Sequence, residues 1–203
     1  MAKYKLVMMT LSAILVISIL VSLHIYLDHK RALEATLRYV STEAQLNSLN
    51  LRHSGDNLLL VRGDLEKYNC SLRDFKQNYP ERAVFDGFLL HSMKTRMDRL
   101  ESSLTIVYLI QGEDVPVKLA EALDRLDYYF SNIDTVYMKM YGSNGTFNCT
   151  LLPDNETAQH IDMVFTLVYN SITQSKNEKG LFTGFNDTII DMLWSLASSL
   201  QNS

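Results

Sequence analysis

Residues Leu6 to Leu27 read LVMMTLSAILVISILVSLHIYL and hold no Asp, Glu, Lys or Arg over 22 positions. A helix rising about 1.5 Å per residue covers roughly 33 Å over that length, enough for a hydrocarbon core of about 30 Å. A buried helix of a water-soluble fold keeps a polar stripe, and this run is apolar on every face. A cleaved secretory signal is the competing assignment, with Lys3 and Lys5 as its positive end. Such signals carry about 7–15 apolar residues and then small residues at the cut. Here the run continues, and Leu20 stands two positions before Ser22 where a second small residue belongs. The stretch therefore predicts a tail at 1–5, an uncleaved transmembrane helix at 6–27 and one domain at 28–203.

The flanks suit that assignment. His24 and Tyr26, followed by His29, Lys30 and Arg31, place aromatic and cationic groups at one boundary of the span. His24 has no second ionisable group beside it in the span, so it reads as interfacial rather than as a proton relay. Ser18 and Ser22 form a small-xxx-small pair, a weak signal for helix packing. Charge does not orient the span: Lys3 and Lys5 lie before it, and Lys30, Arg31 and Arg38 after it.

Beyond Asp28 only a single domain is called for, and the whole chain contains 3 Pro and 8 Gly. Few breakers favour long helices over many short strands. Residues 28–99 carry 12 Lys or Arg against 10 Asp or Glu, whereas residues 100–203 carry 5 against 13. An acidic domain without a basic stripe argues against nucleic acid as a partner. It argues equally against adhesion to anionic lipid.

Two features point out of the cytoplasm. Cys70 and Cys149 are the two cysteines, and an even pair in an extracytoplasmic domain suggests a disulfide. Closing a loop of about 80 residues would restrict the unfolded chain by about 4–4.5 kcal/mol. The second feature is five Asn-x-Ser/Thr sites, at Asn69, Asn144, Asn148, Asn155 and Asn186. Chance would supply about two from 13 Asn and 31 Ser or Thr, so the enrichment is mild. Each cysteine sits in the middle of such a site, which would crowd a buried disulfide if the sites are glycosylated.

Apolar spacing lays out six helices after the span. The first runs over about 30–51, with Leu33, Leu37, Val40, Ala44 and Leu51 on one stripe, and nothing between Leu27 and Ala32 breaks a helix leading into it from the span. Gly55 breaks it, and Ser54 or Asp56 caps the second, over about 57–77. The third covers 81–111 with Phe85, Leu89, Met93, Met97 and Leu100 as its stripe, closed by Gly112. Asp114 caps the fourth, with Pro116 in its first turn. Gly142, Gly145 and Pro153 mark a long loop at 141–155. Helices at about 156–174 and 186–200 follow, joined by a polar connection at 177–184. Short connections imply antiparallel neighbours, hence an all-α chain with an up-and-down bundle of about five to six helices.

No catalytic signature is present: there is no His-Glu-x-x-His, Cys-x-x-Cys, Gly-rich phosphate loop or Gly-x-Ser-x-Gly. Glu156 and His160 stand four apart and could touch one metal, but zinc needs three or four ligands. Asp154 and Glu156 read instead as charges at a helix N-terminus. Glu121, Asp124 and Asp127 make an acidic face on the fourth helix, and His91 lies among apolar neighbours. No cofactor is implied. The expectation is a membrane-anchored extracytoplasmic module for structure or protein interaction. The alternative is a ligand-sensing bundle, similar in broad design to those of bacterial chemoreceptors, which would signal through a membrane partner because only residues 1–5 lie across the span.

Overall fold

The computed structural model describes residues 2–174, 182 and 184–201, with side chains from residue 14 onward. It is all-helical, with seven α-helices among the described residues: α1 (Ala2–Leu51), α2 (Ser54–Glu66), α3 (Leu72–Asn78), α4 (Pro80–Gln111), α5 (Val117–Ser143), α6 (Asn155–Gln174) and α7 (Asp187–Gln201). The described residues also form a 3-10 turn at Cys149–Leu151 and an isolated bridge from Ser71 to Thr146. The expected connection at 177–184 lies outside the described residues except for 182 and 184.

No breaker interrupts residues 2–51, and α1 is one helix of 50 residues, about 75 Å long. Residues 2–5 of the tail expected at 1–5 are therefore helical. Residues 14–27 expose their apolar side chains, Ile14 at 64% and Ile25 at 63%. Among the described residues no helix is long and apolar enough to cross a membrane. Residues 6–13 of the expected span lie outside those with described side chains. Burial in α1 begins at Leu37 and continues through Val40, Ala44 and Leu51, while Leu33 stays 38% exposed and off the core.

Five helices close a ring: α1 packs on α4, α4 on α5, α5 on α7, α7 on α6 and α6 on α1, with α2 laid along α6. An odd ring cannot alternate direction at every contact, which corrects the antiparallel expectation. The parallel pair is α5 and α7. Lys118 pairs with Asp191, and further along both helices in the same direction Arg125 lies 4.4 Å from the centre of the Trp194 ring. Leu58, Met97, Leu100, Leu126, Ile161 and Leu193 are among the core residues that fill the interior.

The bundle has two poles. At the near pole α1 enters, the α4–α5 turn lies, and Gln111 reaches the carbonyl of Phe182. Gly112 ends α4 in the left-handed region at φ 73°, as its position after the apolar stripe suggests. Asp114 does not cap α5; Pro116 occupies the N-cap and supplies no side-chain bond. At the far pole lie the end of α2, where Asp64 meets Arg82 and Arg62 meets the Leu152 carbonyl, α3 and the chain from Asn144 to Asp154.

The two ends of α2 depart most from expectation. Gly55 is not a break but a notch inside α2: a Cβ there would sit 1.9 Å from the carbonyl oxygen of Ala158 on α6. That close approach lets Asp162 of α6 accept hydrogen bonds from the Gly55 and Asp56 amides at 2.7 and 3.2 Å. The cap of α2 comes from another helix, not from Ser54 or Asp56. The long second helix is also divided. Between Glu66 and Leu72 the chain turns through Asn69 and Cys70, both left-handed at φ 50° and 59°.

Candidate functional site

The turn at Asn69–Cys70 is held from across the molecule. Cys70 and Cys149 are joined in a disulfide, Cα to Cα 6.1 Å, over a separation of 79 residues. The Leu72 amide donates to the Gly145 carbonyl, and the Phe147 amide to the Cys70 carbonyl, at 3.1 and 2.8 Å. These bonds offset a left-handed conformation that costs a non-glycine residue about 1–3 kcal/mol. Phe147 is thereby buried against Tyr137, ring centres 5.9 Å apart. Lys76 of α3 donates to the Tyr141 carbonyl and to Asn144 Oδ1, and its ammonium stands 4.0 Å from the centre of the Tyr141 ring. The result clamps α3 and the 144–152 loop over the end of α5.

All five glycan-acceptor asparagines are exposed. Asn69, Asn144, Asn148 and Asn155 gather at the far pole, and Asn186 lies near the start of α7. Beside the disulfide Cys149 is buried and Cys70 half-buried, while Asn69 and Asn148 face water. Asn148 Oδ1 accepts from the Thr150 amide and hydroxyl, and Asn186 Oδ1 from the Ile189 amide.

Beside this clamp, α4 and α5 leave an apolar cleft of about 320 Å³. Its floor is Tyr137, whose hydroxyl donates to the Ala83 carbonyl at 2.7 Å. Gly87 lets the helices close over that ring: a Cβ would lie 3.1 Å from Tyr137 Cε1. Its rim is Val84, Phe88, Met138 and Tyr141. Val84 is 58% exposed, Phe88 66% and Met138 51%. At one end His91 Nδ1 lies 3.1 Å from Asp134 Oδ2, with the carboxylate buried and the imidazole exposed.

Under the cleft a carboxylate is buried in the core. Asp86 is wholly inaccessible, and neither of its oxygens accepts a hydrogen bond among the described residues. Arg82 Nε stands 3.3 Å away but is shared with Asp64. Burial pushes the Asp86 carboxyl up to about 7, and Arg82 only partly offsets it. Asp64 goes the other way: hydrogen bonds from Lys67 and Arg82 outweigh its burial and hold it below the usual range. Tyr137 is pushed up, chiefly by burial and then by Asp86.

The cleft residues escape a reading of periodicity. A stripe walked back in steps of four from Met93 reaches Phe85, but steps of four drift by about 40° each from a 3.6-residue turn. Counted at 3.6, position 86 shares the face of Met93, and Val84 and Phe88 point outward. The structure accordingly buries Asp86 and leaves Phe85 44% exposed. Helical phase over 83–93 was the available signal.

The other expected residues stay apart. Asp154 caps α6, accepting from the Thr157 amide at 2.8 Å, and this bond holds its carboxyl below the usual range. Glu156 and His160 follow on the same helix, and among the described residues no group of three metal-ligating side chains forms. No family model matches the chain, and no curated protein or solved structure matches it.

Proposed function

We propose that this chain is a single-pass, membrane-anchored helical module that presents its far pole to a protein partner outside the cytoplasm. One observation carries the reading: α1 is a continuous helix whose last turns are core and whose residues 14–27 carry a sleeve of uncovered apolar side chains. The bundle offers that sleeve no partner, and a bilayer is the solvent that does. The sleeve belongs to the apolar run from Leu6 to Leu27. The Cys70–Cys149 disulfide fits an oxidising compartment, and five exposed acceptor asparagines fit a glycoprotein. The apolar rim at the far pole is the natural contact surface, since it stands away from the anchor.

Protease digestion of intact cells, with lysed cells as control, tests the placement. Loss of the domain from intact cells is the expected result. Full protection until lysis, with the protein still in the membrane fraction, would overturn the extracytoplasmic assignment. Recovery of the full chain in the soluble fraction would overturn the anchor.

A further inference from the structure

The rim of the cleft is one end of a longer groove. On α4 the positions facing α5 recur at three and four: Val84, Gly87, His91, Lys94, Asp98, Glu101. On α5 the matching line is Tyr141, Met138, Asp134, Ser131, Asp127, Asp124. The helices run antiparallel here, as Gly87 against Tyr137 and His91 against Asp134 fix. The far half of the groove is therefore apolar, and the near half is a run of carboxylates. Burial first, then mutual repulsion among Asp98, Glu101, Asp124 and Asp127, raises both Glu101 and Asp127 above the usual range. Lys94 is the cation set against them, and one buried oxygen of Asp127 has no hydrogen-bond partner among the described residues.

We propose that the α4–α5 groove binds an amphipathic helical segment of a partner protein, with apolar residues at one end and Lys or Arg at the other. The inference rests on the module reading above and names the chemistry of its partner. Helices docked in grooves are read through apolar anchors at three- and four-residue spacing. The apolar anchor meets Phe88 and Met138 over Tyr137, and the basic end meets Asp98, Glu101, Asp124 and Asp127. From Gly87 to Asp98 the groove runs about 16 Å, so anchor and basic cluster stand roughly three turns apart on the partner. A second copy does not complement this face. Two copies anchored side by side pair like regions about a two-fold axis, and that sets carboxylates against carboxylates. An anionic lipid surface is repelled by the same charges.

The test uses the full chain in zwitterionic lipid nanodiscs and three labelled synthetic 18-residue helical peptides. One joins an apolar half to a Lys half, one joins the same apolar half to a Glu half, and one joins a Ser half to the Lys half. Fluorescence anisotropy is read at low and high salt, with empty discs as reference. The first peptide is expected to bind at least tenfold tighter than the other two, and to weaken with salt. Phe88→Glu, a change at an exposed position, lowers that affinity at least tenfold. Asp98→Asn with Asp127→Asn lowers it and flattens the salt dependence.

Equal binding of the Glu-half peptide, or indifference to both variants, would overturn the proposal. So would self-association by sedimentation that Phe88→Glu abolishes, which gives the groove to a second copy. The disc assay does not depend on which side of a membrane the domain occupies. Groove binding with a protected domain in cells therefore separates failure of the placement from failure of the groove.

Discussion

From Met93 to Val107, α4 buries Met93, Met97, Leu100, Leu104 and Val107 and turns polar residues such as Asp98 and Arg99 to water. From Pro80 to His91 the same helix follows that rule only in part: Ala83 and Leu90 are buried, but so is a carboxylate. Asp86 and Gly87 go in, while Val84, Phe85 and Phe88 face out. The second half follows the usual amphipathic rule, in which the stripe itself drives packing. The first half is held by its surroundings: the Tyr137–Ala83 bond, the Arg82 ion pairs and the disulfide-closed clamp over α5. A stretch that buries a carboxylate and turns large apolar side chains outward costs stability, and it leaves apolar surface free for contact.

The comparison can be broken at four points. Replacing both Cys70 and Cys149 by Ser releases the clamp and should remove about 4 kcal/mol of stability, mostly through the unfolded chain. Guanidinium unfolding reads this, and a loss below about 1 kcal/mol would mean the clamp holds without its covalent link. Leu100→Ala, in the regular half, should cost about 3 kcal/mol from lost burial and the cavity left behind.

Asp86→Asn should stabilise, by about 1–3 kcal/mol at pH 8, because it removes a charge buried without hydrogen bonds. The sign follows from proton binding. The folded chain holds Asp86 up to about 7 and the unfolded chain near 3.8. The protonated group favours folding fully below about pH 4, and that contribution is lost as the pH rises through 7. The gain from Asn should therefore shrink as the pH falls toward 4, and a gap unchanged from pH 8 to pH 4 would refute the account. Phe88→Ala should change stability by less than about 0.5 kcal/mol, since the ring is mostly in water. A loss of several kcal/mol would show that the rim is packed after all.

Much of the fold was legible in the chain. The stripes of α5, α6 and α7 fall where spacing puts them, because Leu123, Ile133, Val164 and Leu193 repeat without interference. Gly112 marks the end of α4 because a left-handed residue is needed there. The break at Asn69–Cys70 was hidden, since its heptad of Leu65, Leu72 and Phe75 continues across a turn held by partners about 75 residues away. The cap on Gly55 was hidden for the same reason, since Asp162 belongs to another helix. The parallel α5–α7 pair follows from ring closure, which no local pattern encodes. The cleft was hidden by one residue of helical phase.

The unbroken α1 has a mechanical consequence. Leu51, packed in the core, lies about 36 Å along the same rigid axis from Leu27. Transmembrane helices lean about 20° on average, and under the proposed anchoring such a lean would swing Leu51 sideways by roughly 12 Å. With no hinge to absorb it, any lean or spin of the shaft in the bilayer becomes a displacement of the whole head. Local membrane thickness would then set the height and angle at which the far pole meets its neighbours.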